Sequence, residues 1–274
     1  MAIKAGMITI DAKGTGRRYH KYYPKVADWV SHYEHRVALH LGTIRSSKVG
    51  AALLGSIQLP VTIAPLKKPK TVNAFAHAEN CVDATQKGEP LIGCDDDGDD
   101  VDDEGEGTGL GSPSTIRYTP GTWTRGDRLQ NSKYSPDDPA ARPDEVLCHE
   151  LVHAMRHTRG ELDRSRMRDS FGRMEEFQAI LVCNIYCSER GRPLRRSHHG
   201  HEAMPREFAT DAWRYLAWYH KEIRKFVFDH YELAKRLNRV SEVNCPWNPV
   251  REHFNYRQLL RDILIDRSTP RPGY

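Results

Sequence analysis

The sequence predicts an α+β fold in which a small mixed sheet packs on one long helix and a helical part completes the chain. Three observations carry this. Short alternating or β-branched runs occur early, at 7–11, 61–64 and 114–119. Apolar residues recur at three- and four-residue steps in the segments between and after them. The segment from Pro143 to Gly160 has the start, stop and apolar stripe of a capped helix. With 274 residues, 38% of them hydrophobic, the chain is long enough to bury a core as a single domain, 1–274.

Met7 to Asp11 (MITID) alternates as a short strand and stops at the turn Gly14-Thr15-Gly16. Val26 to Leu41 is helical, with Val26, Trp29, Val30, Tyr33, Val37 and Leu41 on one face. Ser46 to Ile57 reads as a shorter helix, and Val61 to Ala64, between Pro60 and Pro65, as a strand. Periodicity is lost from Cys81 to Ser114, and the acid-rich centre, residues 95–106, is expected to be a solvated loop insertion. A calcium loop fails there, because neither Gly98 nor Gly105 falls in the frame of acids and terminal Glu that such a loop needs. Ser114 to Thr119 (STIRYT) is a strand closed by Pro120-Gly121, expected at an exposed sheet edge where an extended peptide can pair.

The helical C-terminal part, 205–274, carries Trp213, Tyr215, Leu216 and Trp218 in Phe208 to Val227, and Leu259, Leu260 and Ile263 in Asn255 to Ile265. These are spaced for packing. Tyr256 and Arg257 are the residues of the last helix with reach toward a cleft.

A net charge of +4 hides a division, since Asp95 to Glu106 alone supplies nine acids and the rest of the chain is strongly basic. The Arg and Lys are nevertheless dispersed and match no nucleic-acid module, so they read as a solvated surface and not as a nucleic-acid interface. No apolar run is long enough to span a bilayer, and the start of the chain lacks the pattern of a cleavable signal peptide. Export would therefore use another route or a larger carrier protein. Six cysteines are too few for a disulfide scaffold. Cys183 and Cys187 read as small core residues, whereas Cys81 and Cys94 bracket a loop that an oxidising compartment would allow to be bridged.

The chemistry centres on Leu147 to His157, LCHELVHAMRH, which contains the HExxH sequence His149 to His153. Residues four apart share a helix face, so His149 and His153 can converge on one Zn²⁺. Glu150 lies about 100° round the helix, beside the open metal position, where it can take a proton from water without being a ligand. Pro143 suits the first helical position, Asp144 and Glu145 complement the positive end of the dipole, and Gly160 stops the far end. Leu147, Leu151, Ala154 and Met155 back the helix against a core.

The longer signature that ends in Gly and a third His fails at Arg156 and Arg159, and His157, one turn beyond His153, reads as a surface residue or a neighbour of the ligands. A better source of the third ligand is Met174 to Cys187, an apolar helix whose first turn holds Glu175 and Glu176, although two carboxylates there also simply suit a helix N-terminus. Ligation explains one carboxylate and a hydrogen bond to a ligating imidazole explains the other.

These residues resemble the secreted effector zinc metallopeptidases of the NleD type. The resemblance rests on HELVHAMRHTRG (His149 to Gly160), MEEF (Met174 to Phe177), and Asn184 with SERGRPLRR (Ser188 to Arg196); it extends to IRSSKVGAALL, VTIAP and GLGSPSTIRYTP. It implies a zincin-like endopeptidase of the gluzincin type, with one Zn²⁺ and a protein or peptide substrate in a target cell. It also implies type III or type VI effector-like secretion, with a secretion apparatus or carrier as a further partner. The paired Glu is similar to that of clostridial neurotoxin light chains, which selects Glu176 as ligand and leaves Glu175 behind it.

The chain departs from that pattern after Pro193-Leu194, where a Tyr is expected and Arg195-Arg196-Ser197-His198-His199 stands. His198 is the nominee for steadying the oxyanion, with His199 as the alternative. His198, His199 and His201 could otherwise form a second metal site. Two rivals predict different things. A non-catalytic zinc-stapled binding module would unfold when zinc is removed, and a nucleic-acid-binding protein would show salt-sensitive binding without metal.

Overall fold

The computed structural model describes residues 3–12, 29–66, 74–92, 102–119, 138–167, 171–198 and 202–268. In chain order the strands and helices of the first half are β1 (Ile3–Ala5), β2 (Ile8–Ile10), α1 (Trp29–Arg45), α2 (Lys48–Leu54), β3 (Val61–Ala64), β4 (Ala74–Ala78), α3 (Cys81–Ala84), β5 (Pro90–Ile92), β6 (Asp102–Glu106) and β7 (Ser114–Tyr118). Helices follow: α4 (Pro143–Arg159), α5 (Met174–Glu189), α6 (Arg206–Ala209), α7 (Ala212–Trp218), α8 (His220–Asp229), α9 (Tyr231–Asn238) and α10 (Pro249–Ser268). The architecture is the expected α+β one.

Five strands form a mixed sheet in the order β1-β2-β3-β7-β4. β2, β3 and β7 are parallel, while β1 and β4 close the two edges in antiparallel pairing. The register aligns Ile10 with Ile63 and Ile63 with Ile116, and all three are buried. Alternate residues of β2, β3 and β7 thus supply one buried face, against which a helix must pack.

Ser114–Tyr118 is not the edge strand expected from the sequence: it lies inside the sheet, between β3 and β4. The edge beside the site is Ala74–Ala78, AFAHA. Its alternating Ala offers no β-branched signal, and only the five-residue pairing with β7 makes it a strand.

Residues 102–106 of the acidic segment also depart from the loop reading, because they pair with β5 as a two-stranded ribbon. Residues 93–101 lie outside the described residues. The helix expected across Phe208 to Val227 is three pieces, α6, α7 and α8, interrupted at Thr210-Asp211 and at Tyr219. The Asp211 side chain accepts the Arg214 amide and so starts α7 afresh.

α4 packs on the sheet and is covered by α5, so every residue from Asp144 to Thr158 is buried. Tyr118 of β7 donates to the Pro143 carbonyl at 3.0 Å, and Tyr33 of α1 donates to the Tyr118 carbonyl at 2.9 Å. The start of α4 is thereby tied to both sheet and helix layers. Gly160 ends it in the left-handed region, φ 65°, and a Cβ there would sit 2.3 Å from the Gly109 backbone. Only glycine satisfies both demands.

One buried cluster runs from Ile8 through α4 and α5 to Val250. Four cysteines, Cys148, Cys183, Cys187 and Cys245, are free and buried within it, as expected for the α5 pair. Cys81 is disulfide-bonded; Cys94 lies outside the described residues. Among the described residues no helix is long and apolar enough to cross a membrane.

Candidate metal centre

The helical rise places His149 and His153 one turn apart on the face of α4 that meets the first turn of α5. Their Nε2 atoms stand 3.1 Å apart. Glu176 completes the triangle, with Oε2 3.3 Å from His149 Nε2 and Oε1 3.6 Å from His153 Nε2. Among the described residues these three are the one group of His, Cys, Asp and Glu side chains whose donor atoms converge closely enough to hold a metal ion.

The fit can be judged from the atoms themselves. A tetrahedral ion about 2.1 Å from each ligand atom separates those atoms by about 3.4 Å, close to the spacings found. The two Nε2 atoms face each other at 3.1 Å with a Glu176 oxygen within 3.6 Å of each, an arrangement that a shared cation satisfies. The donor set, two imidazoles and one carboxylate, suits zinc.

Glu175 faces the other way. Its Oε1 lies 2.8 Å from His153 Nδ1 and its Oε2 lies 2.7 Å from Arg156 Nε. The Asp163 amide also donates to Oε2, at 3.3 Å. Burial opposes its charge, but the Arg156 guanidinium, with His153, holds the Glu175 carboxyl well below the usual carboxylate range. A charged Glu175 accepts the hydrogen bond from His153 Nδ1–H and leaves the Nε2 lone pair directed at the metal position. Arg156 is wholly buried and also contacts Gln178, His230 and the Glu161 carbonyl. Departure from the longer zinc signature at this position therefore has a structural use, which the sequence did not disclose.

Glu150 lines the same cavity of about 360 Å³ and is only 7% exposed. Burial raises its pKa, while the two imidazoles and the Ala76 backbone amide of β4 partly counter this. A carboxylate pushed upward and set beside a cation site can both accept and return a proton.

His198 is also in the cavity, with Nδ1 2.8 Å from Glu176 Oε2. The structure thus places it against a metal-site carboxylate as well as in the cleft. His199 and His201 lie outside the described residues. His157 does not reach the metal cluster, nor is it on the surface: it is buried and its Nδ1 is 3.0 Å from the Ser114 hydroxyl. Tyr256 and Arg257 line a different cavity.

Sequence reasoning missed Phe75, Arg164 and Arg173, which line the metal cavity. Each lies in a segment without a motif, and only the fold brings them there.

The SERGRPLRR segment acts as a brace. Both oxygens of Glu189 accept the amides that open α2, Lys48 at 2.7 Å and Val49 at 2.8 Å. Arg192 Nη1 spans Asp144 at 2.6 Å and Glu145 at 2.9 Å at the start of α4. Asn184 holds the Arg195 backbone from both sides at 2.8 Å, and Arg195 in turn reaches the His198 carbonyl. The tail after α5 thus fixes the N-terminus of the HExxH helix and the loop that carries His198.

Fold and site together define an α+β protein with an HExxH helix and a His₂Glu candidate metal centre. The chain belongs to the M91 peptidase family of effector proteins, whose model matches residues 26–195. That span holds the site helices and the bracing tail, and the NleD-type resemblance points to the same family. Comparisons with curated proteins and with solved structures give no match.

Proposed function

We propose that this effector peptidase is a zinc-dependent endopeptidase that hydrolyses a protein in a target cell. The observation that carries the reading is the convergence of His149, His153 and Glu176 on one point with Glu150 beside it. One zinc ion held by those three side chains would supply Lewis acidity and bring the pKa of water toward neutrality. Glu150 takes the proton of the attacking water and passes it to the leaving nitrogen. Glu175 keeps His153 in the tautomer that ligation needs. His198 has two candidate duties, donating to the developing oxyanion and holding Glu176.

The open edge of β4 gives the substrate a place. An extended peptide added along Ala74–Ala78 would run past Glu150, which lines the same cavity as Ala74, Phe75 and Ala76. This supports a zincin-like substrate mode in which β4, and not β7, is the docking strand. The continuous buried cluster supports treating the chain as one catalytic domain. Membership of an effector family supports delivery into a target cell.

Replacing Glu176 with Gln tests the ligand set. The variant should bind zinc at least about tenfold more weakly and lose cleavage of target-cell lysate proteins, scored by new N-termini. Undiminished zinc affinity together with undiminished cleavage would overturn the assignment.

A further inference from the structure

A second cavity, of about 580 Å³, opens where α8, the start of α9 and α10 meet. Its size suits a small-molecule ligand. His220, Arg224, His253 and Arg257 all face it, and among the described residues neither arginine has a carboxylate within ion-pair distance. Lys225, also on α8, is paired with Asp229 and Asp163, and Arg251 of α10 with Glu252. Among the described residues that line the cavity there is no acidic side chain.

His253 sharpens the point. It is 3% exposed, and its Nδ1 is buried with no hydrogen-bond partner among the described residues. Leaving such a group unpaired is costly unless something else satisfies it. Burial pushes the imidazole down to about 4, and His220, Arg257 and Arg224 push it the same way, with no acid acting against them. The neutral ring leaves the positive field of the cavity to the guanidiniums of Arg224 and Arg257, which an anion would relieve.

The remaining wall is aromatic. Phe228 is 84% and Tyr231 50% exposed, and Tyr256 is held edge-on by Trp213 at 5.5 Å between ring centroids. Large exposed rings beside a basic pocket offer a flat ligand a stacking surface, while the guanidinium forks suit phosphate oxygens.

We propose that the cavity between α8 and α10 is a binding site for a nucleotide-sized phosphate ester, with Arg224 and Arg257 gripping the phosphate and Phe228 and Tyr231 covering the ring. This site is separate from the metal cleft and lies outside residues 26–195, the span matched by the effector family model.

The test is calorimetric titration of the full chain with inorganic phosphate, adenosine, AMP and ADP at low salt, repeated for an R224Q/R257Q variant. Both arginines are exposed, so the substitutions leave the core intact. AMP or ADP should bind saturably with Kd below about 1 mM, more tightly than inorganic phosphate or adenosine alone, and about tenfold or more weakly in the variant. Added salt should weaken binding to the wild type. Phosphate binding as tightly as AMP would overturn the stacking half of the proposal. No binding by any phosphate, or equal binding by the variant, would overturn it entirely. Thermal unfolding of the variant, expected to match the wild type without ligand, separates lost binding from lost fold.

Discussion

Arg156 Nε lies 2.7 Å from Glu175 Oε2, and this contact, made where no water reaches, leaves Oε1 of the same carboxylate to His153 Nδ1. The guanidinium thereby orients a metal-site imidazole through an intermediate side chain. Glu175→Gln keeps the size of the residue but removes the charge that both neighbours face. Zinc affinity is expected to fall about 10- to 100-fold, read by competition with a chromogenic chelator. Equal affinity would mean that His153 is oriented by something else.

Removing Arg156 exposes the other side of the relationship. Arg156→Met leaves Glu175 buried without its main counter-charge and should destabilise the protein by about 3–5 kcal/mol in urea unfolding. The double variant R156M/E175Q should recover part of that loss, because both buried charges are then gone. A single-variant loss below about 1 kcal/mol would show that the pair is better solvated than its burial implies.

His157 gives a pH dependence with a definite sign. Burial drives its imidazole down to about 3, helped by Arg164 and Arg156 and opposed by Glu175. Ser114 donates to the His77 carbonyl at 3.0 Å, so its oxygen accepts the hydrogen bond from His157 Nδ1–H and selects that tautomer of the neutral ring. The unfolded chain binds the proton more readily, so this contribution is fully present above the unfolded pKa near 6.5 and is lost as pH falls toward 3. Between pH 7 and 5 it amounts to about 2 kcal/mol. In His157→Gln the acid-side loss of stability should be smaller by that amount, measured by urea unfolding at both pH values. Identical slopes would contradict the shift.

Gly160→Ala tests the close approach at the end of α4. The left-handed φ of 65° and the Gly109 backbone 2.3 Å from the new Cβ make the substitution more costly than the strain of αL alanine alone, which is about 1 kcal/mol. A thermal midpoint within error of the wild type would mean that the 109–111 turn yields freely.

Much of the site helix was legible in the sequence because its determinants are local. Pro143 and Gly160 set its ends and the His149-Glu150-His153 spacing set its chemical face. The pair Glu175-Glu176 stood out because carboxylates at the entrance of a helix apolar enough to be buried need partners there. Non-local features were not legible. β4 is a strand only through pairing with β7, and Arg156 gains its role only through contacts with α5 and His230. The edge strand was misplaced because an alternating pattern in Ser114–Tyr118 marks a buried face without saying how many neighbours the strand has. Likewise, nothing in the spacing of His157 foretold that Ser114 would cover it.

The central claim is that Glu150 moves a proton beside a metal held by His149, His153 and Glu176. Glu150→Gln tests it most directly, with zinc content and cleavage of target-cell lysate measured on the same preparation. The account predicts that the variant keeps one zinc per chain, as the wild type does, and generates none of the wild type's new N-termini. Cleavage at the wild-type rate by zinc-loaded Glu150→Gln would contradict it.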